Sequence, residues 1–352
     1  MSAVKKILLL LAMLLIFSGC AQAQPQSTLP ASVAQVTPLR PAAVTEPGEP
    51  QEQTEQSDAQ AQTLPSDPVE ELVQQELAVL PEEPAVPLGL TAQASGELVA
   101  QNEQAVIDYS HTADGYVMVK YLAETDQRLK AQVKGPTTTY TYNLSPGKWA
   151  VFPLSDGEGD YQVCVYENIS GTKYALALSE RMEVALEDPF APFLYSNQYV
   201  NYEEAPSSVQ KAAQLCQGAE NLEKVERIYQ FVVEGMRYDT QLAATVKSGY
   251  IPVLDGVLAN MQGICFDYAA LMAGMLRSQG VPCKLVVGYA GDVYHAWISV
   301  WTEQTGWIEG IVFFDGTSWK RMDPTFASSA QNSPDILNYI SNDTNYTVKY
   351  IY

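Results

Sequence analysis

Residues 265 to 279, CFDYAALMAGMLRSQ, read as a helix with no polar face. Phe266, Tyr268, Leu271, Met272, Met275 and Leu276 leave Asp267 as its one charge before Arg277. A helix that is apolar all round needs enclosure on every side, so it belongs in the centre of a domain. Its first residue is Cys265, just after the turn residue Gly263. A structural cysteine would sit better in mid-helix. At a helix start, unpaired N–H groups and partial positive charge favour an anionic sulfur. Asp267, two residues on, falls about 200° round the helix. It therefore points away from the thiol and supports the helix N-terminus.

A thiolate needs a base, and the chain holds two histidines in all. His111 stands beside a turn and reads as a surface residue. His295 lies in YHAWISVW, a strand whose one face carries His295, Trp297, Ser299 and Trp301 while the other carries Ala296, Ile298 and Val300. The second face is plain core. The first sets an imidazole among indoles, as expected beside a cleft, although a lone strand histidine is more often structural. An imidazole acting as base needs an acceptor on its second nitrogen. Asp323, held in extended backbone by Pro324, is the candidate; Asp315 and Asp292 sit in more obvious turns. Gln262 is a weaker candidate as oxyanion donor, and Trp297 as a cleft wall. With so few histidines and no CxxC, a zinc site is not expected, and no cofactor is implied.

The chain divides by composition. Lys5 and Lys6, the apolar run Ile7 to Phe17 and Ser18-Gly19-Cys20 form an export signal over 1–19, too short to span a membrane. Its end resembles the lipobox of bacterial lipoproteins, with Phe17 where Leu is usual, and this implies lipidation of Cys20. Residues 20–94 are rich in Pro, Gln and Glu and nearly free of aromatics, the composition of an acidic disordered tether. Over 95–187 the apolar period becomes two. Segments such as GYVMVKYL, TYTYNL and DYQVCVYENI are separated by turns at Gly115, Gly147, Gly157 and Gly171, which predicts an all-β sandwich of immunoglobulin-like type. Tyr161 is placed to form a tyrosine corner. Residues 188–205, rich in proline and aromatics, read as an ordered connector. From 206 to 352 helical and strand patterns mix in an α+β domain, with Ser207 or Ser208 capping one helix and Asn221 the next.

The formal charge is −21, or −23 once Lys5 and Lys6 leave with the signal. No Lys or Arg occurs between Arg40 and Lys120. Nucleic acid is excluded as a partner on these grounds, and no basic patch is offered to anionic lipid. Cys164, Cys216, Cys265 and Cys283 have no spacing that suggests a disulfide framework.

GICFDYAALMAGMLRSQGVPCKLVVGYAG, HAWISVW and WKRMDPTF together resemble the three blocks of the transglutaminase-like superfamily, whose domain is papain-like. The resemblance covers 206 to about 328. It implies a catalytic Cys265, His295 and Asp323, and attack on an amide bond through a cysteine thioester. It resembles bacterial surface members more often protease-like than cross-linking, so hydrolysis of an extracellular peptide or protein is the expectation. The alternatives are a cross-linking transglutaminase or a non-catalytic surface module, the sandwich contacting cell wall. The implied location is the outer face of a bacterial cell membrane, held by lipid on Cys20.

Overall fold

The computed structural model describes residues 89–308, 312–314, 319–321 and 345–352. The signal, Cys20 and most of the tether lie outside these residues. The first strands are β1 (Val99–Gln101), β2 (Ala105–Asp108), β3 (Tyr116–Tyr121), β4 (Leu129–Lys134), β5 (Thr139–Leu144), β6 (Trp149–Pro153), β7 (Gly159–Ser170) and β8 (Lys173–Val184). They form two antiparallel sheets, ordered β1-β2-β3-β6 and β5-β4-β7-β8. Alternation decides which side chains face in. Leu129, Ala131 and Val133 of β4, and Tyr140 and Tyr142 of β5, are buried, while their neighbours are not. The Tyr142 ring meets Phe152 of the other sheet at 4.5 Å. Each of the four turn glycines, Gly115, Gly147, Gly157 and Gly171, has positive φ. Tyr161 donates its hydroxyl proton to the carbonyl of Gly157 at 2.8 Å, pinning the turn that feeds β7.

The rest contains α1 (Pro206–Cys216), α2 (Asn221–Gly235), β9 (Arg237–Tyr238), α3 (Thr240–Thr245), α4 (Leu254–Asn260), β10 (Gln262–Gly263) and α5 (Cys265–Ser278). Then come β11 (Cys283–Ala290), β12 (Val293–Thr302), β13 (Gly306–Ile308), β14 (Val312–Phe314), β15 (Trp319–Arg321) and β16 (Tyr346–Ile351). One sheet has the order β13-β12-β11-β16, and β14 pairs with β15. Helix α5 is buried from Asp267 to its end and packs against α1, α2, α4 and the β11–β12 hairpin. Ala296, Ile298 and Val300, the plain face of β12, join its core.

The helix caps differ from the sequence expectation. Neither Ser207 nor Ser208 caps α1: Ala205 holds the cap position without a side-chain bond. The carboxylate of Asp255, on α4, accepts instead from the N–H groups of Ser207 (3.1 Å) and Ser208 (2.8 Å) and from the Ser208 hydroxyl (2.7 Å). A formal negative charge supplied by another helix serves these orphan donors better than a neutral hydroxyl. Those contacts hold Asp255 below the usual carboxylate range despite its partial burial. At α2, Glu220 takes the cap position and Asn221 is already helical, its amide oxygen accepting from Lys224.

The connector is built into both neighbours. Phe190 packs on Trp301 at 4.3 Å, Phe193 on Trp307 at 5.5 Å, and Tyr195 on Tyr116 at 4.6 Å. Beneath it lies Arg277, fully buried near the end of α5. Its guanidinium donates to the carbonyls of Tyr195 (2.8 Å), Cys283 (2.8 and 2.7 Å) and Tyr352 (2.6 Å). Burial pushes its pKa down to about 10, so it stays charged at neutral pH. One side chain thus fastens connector, sheet and C-terminal strand to the central helix. Replacing Arg277 by Leu strips those carbonyls of their donor and should cost about 3–5 kcal/mol in urea unfolding. The half-exposed Arg227 of α2 pairs with Glu223 and donates to the carbonyls of Leu215 and Gln217, where water can take its place, so Arg227→Leu should cost less, about 1–2 kcal/mol.

Candidate active site

Several local features fix Cys265 at the start of α5. Met261 closes α4 in the left-handed region, at φ 44°, and turns the chain back. The short β10 then pairs in parallel with β9, and the Asp239 N–H donates to the Gly263 carbonyl at 2.9 Å. Gly263 is required by packing: a Cβ there would lie 2.5 Å from the Cβ of Asp267. That closeness lets Asp267 reach back and accept from the Ile264 N–H at 2.8 Å, while its other oxygen accepts from the Tyr250 hydroxyl at 2.7 Å. Asp267 caps the helix on the side its position predicts. Burial raises its pKa, opposed by those two hydrogen bonds; burial first, and then the bond to Asp267, raise that of Tyr250.

His295 is buried on β12, directly across from Gly288 of β11. Trp297 shares its face, the two rings nearly parallel with centroids 6.3 Å apart, and Tyr346 of β16 meets Trp297 edge-on at 5.2 Å. Gly288 makes this closure possible: a Cβ there would come within 2.0 Å of the Thr347 carbonyl oxygen and 2.9 Å of the Trp297 ring.

Cys265 and His295 line one cavity of about 450 Å³. Six of its walls are aromatic side chains, Phe266, Tyr199, Tyr238, Tyr250, Tyr294 and Tyr352. Trp297 is not among its lining residues. Gln262 lines a separate hollow with Asp239 and Asp267. Asp323 lies outside the described residues, two positions beyond the end of β15. The tyrosine walls were not singled out in the sequence. Tyr294 could have been, as the neighbour of His295 on the same strand; Tyr199 and Tyr352 arrive only through tertiary packing.

The four described cysteines are all unpaired. Cys164, Cys216 and Cys283 are buried, and burial pushes the Cys283 thiol up to about 12 and raises that of Cys216. Cys265 alone among them is partly exposed. Among the described residues, no group of three or more His, Cys, Asp or Glu side chains is placed to hold a metal, and no helix is long and apolar enough to cross a membrane.

Residues 209–310 match the model of the transglutaminase-like superfamily, so the chain carries a transglutaminase-like domain. A stretch of 95 residues, 23% of this chain, is 30% identical to a protein-glutamine gamma-glutamyltransferase of Pseudomonas aeruginosa, of which it spans 14%. A second relative, the Bacillus subtilis protein YebA, is 20% identical over 220 residues, 56% of this chain and 29% of its own. The chain thus spans less than a third of either curated relative. Among solved structures, the periplasmic domain of TgpA from Pseudomonas aeruginosa bound to ethylmercury is 19% identical with a TM-score of 0.30, over 68% of this chain and 79% of that one.

The exposure pattern sets an expected outcome. Brief iodoacetamide treatment of the native protein should carboxamidomethylate Cys265 before Cys164, Cys216 or Cys283, with peptide mapping as readout. Labelling of the buried thiols at comparable rates would mean that the cavity is not the accessible thiol site.

Proposed function

We propose that this cavity is the active site of a thiol enzyme that attacks amide bonds. The observation that carries the proposal is that Cys265, the partly exposed cysteine among the four described, shares a cavity with His295. In the first step the Cys265 sulfur adds to the amide carbonyl carbon and its proton passes to His295. The oxyanion so formed is met by the Cys265 N–H, one of the donors left free in a helix's first turn. Collapse breaks the C–N bond; His295 returns the proton to the leaving amine, and a thioester remains on Cys265. Asp323 would fix the imidazole's tautomer. Water then attacks the thioester and releases the acid.

Hydrolysis is the favoured fate, with an extracellular peptide or protein as substrate. A second reading has its own support. The 95-residue similarity to a protein-glutamine gamma-glutamyltransferase favours a lysine amine in place of water, giving a cross-link. The triad chemistry is the same up to the thioester. A third role, binding without catalysis, rests with the β-sheet region. Its two four-stranded antiparallel sheets and the Tyr161–Gly157 hydrogen bond support an immunoglobulin-like assignment, and such a module suits contact with cell-wall polymer.

Incubation with a fluorescent primary amine and a glutamine-rich protein, beside a peptide-cleavage assay, separates the two chemistries. Both activities should fall by about 10³-fold or more in Cys265→Ala and His295→Ala, in line with the cost of removing a triad member. Retention of activity in folded Cys265→Ala protein would overturn the proposal.

The export signal ending at Cys20 supports anchoring at the outer face of the membrane. Cells fed labelled palmitate should label the wild-type protein and not Cys20→Ala. Equal labelling of the two would remove Cys20 as the anchor.

A further inference from the structure

The substrate class can be read from the cavity walls. Tyr294, 56% exposed on β12, and Tyr238, 37% exposed on β9, both line the cavity, and Val246 beside them is also exposed. The Tyr294 ring meets the exposed Tyr289 of β11 at 5.5 Å, extending the apolar surface along the hairpin. A single exposed ring is ordinary, whereas several gathered round one opening mark a binding surface.

Charge gives the second constraint. The chain carries 41 acidic residues against 20 basic ones. Yet among the described residues that line the cavity there is no carboxylate, and apart from His295 the one side chain there that carries a charge at neutral pH is Lys247. The turn that carries it is anchored, since the Tyr250 N–H donates to the Lys247 carbonyl at 3.2 Å and the Tyr250 hydroxyl holds Asp267. Lys247 is exposed, and it shares with the sulfur a space of about 450 Å³, whose width is on the order of one Debye length, ~8 Å at physiological salt, so its charge is felt across the cavity and weakens as salt is raised.

We infer that the cavity takes a polypeptide segment with a large apolar or aromatic side chain beside the attacked amide and a carboxylate within reach of Lys247. Segments with lysine or arginine in the carboxylate's place are rejected by the same charge. The inference rests on the thiol-enzyme proposal only in taking the bound amide as one that Cys265 attacks; the surroundings of the sulfur can be probed without turnover.

The probes are iodoacetate and iodoacetamide, which differ in charge and little in size. Their alkylation rates at Cys265 are measured on the full chain by peptide mapping, and the ratio is normalised to that for free glutathione. Lys247→Glu should lower the iodoacetate-to-iodoacetamide ratio by about fivefold or more, and Lys247→Arg should keep it. A ratio that Lys247→Glu leaves in place overturns the role of the charge. The apolar part is read by protection of Cys265 from iodoacetamide, using capped peptides of one length containing Phe-Glu, Phe-Lys or Gly-Glu. Phe-Glu should protect best. Equal protection by all three, or none by any, overturns the inference. Because neither readout needs an amide to be cleaved, loss of hydrolytic activity would count against the proposed function and leave this result standing.

Discussion

A helix buried along its length can offer a side chain to solvent only at its ends, and this constraint shapes the region that carries the thiol. The flanks of α5 are taken by α1, α2, α4 and the β11–β12 hairpin, with a largely apolar core between them. Its far end is closed by Arg277, whose donors are spent on three backbone carbonyls. The N-terminus remains, and there the chain places Cys265, with Asp267 turned aside to cap Ile264 so that no carboxylate faces the sulfur from its own first turn. Enclosure of the helix and exposure of the thiol are two results of one packing arrangement.

The aromatic connector carries that arrangement into the β-sheet region. Tyr199 meets Tyr142 of β5 at 5.9 Å, Phe266 at 5.5 Å and Tyr352 at 4.7 Å. Phe266 immediately follows the thiol residue. A continuous set of ring contacts therefore runs from the interior of the sheets to the floor of the cavity. The sheet region is a structural neighbour of the site.

Local signals were legible in the sequence where physics is local. Alternation in TYTYNL marks β5 because every second side chain must enter the same interior, and Gly115 or Gly157 marks a turn because the backbone there needs positive φ. The position of Cys265 at the start of α5 and the cap made by Asp267 follow from helical spacing. What the sequence concealed depends on distant partners. The cap of α1 comes from Asp255, a charge on another helix that no local capping rule would choose. Arg277 is by position a basic residue in a last helical turn, yet it is a buried clamp whose acceptors lie as far as 82 residues away. The cavity's tyrosines share no spacing at all, since they come from the connector, β9, the loop between α3 and α4, β12 and the residue after β16. Asp323 lies outside the described residues, so its relation to His295 stays with the proposal.

Strand β16 has a consequence for the order of events during synthesis. It pairs with β11 beside Gly288, sets Tyr346 against Trp297 and brings Tyr352 into the cavity wall. All of these residues follow the thiol helix in the chain. A ribosome or an export channel releases α5 well before it releases β16, so the nascent protein holds its cysteine without the wall that shapes the site. Closure must await a long-range strand addition, the slow class of folding step. Chain direction alone thus delays assembly of the cavity until its most distant wall has emerged.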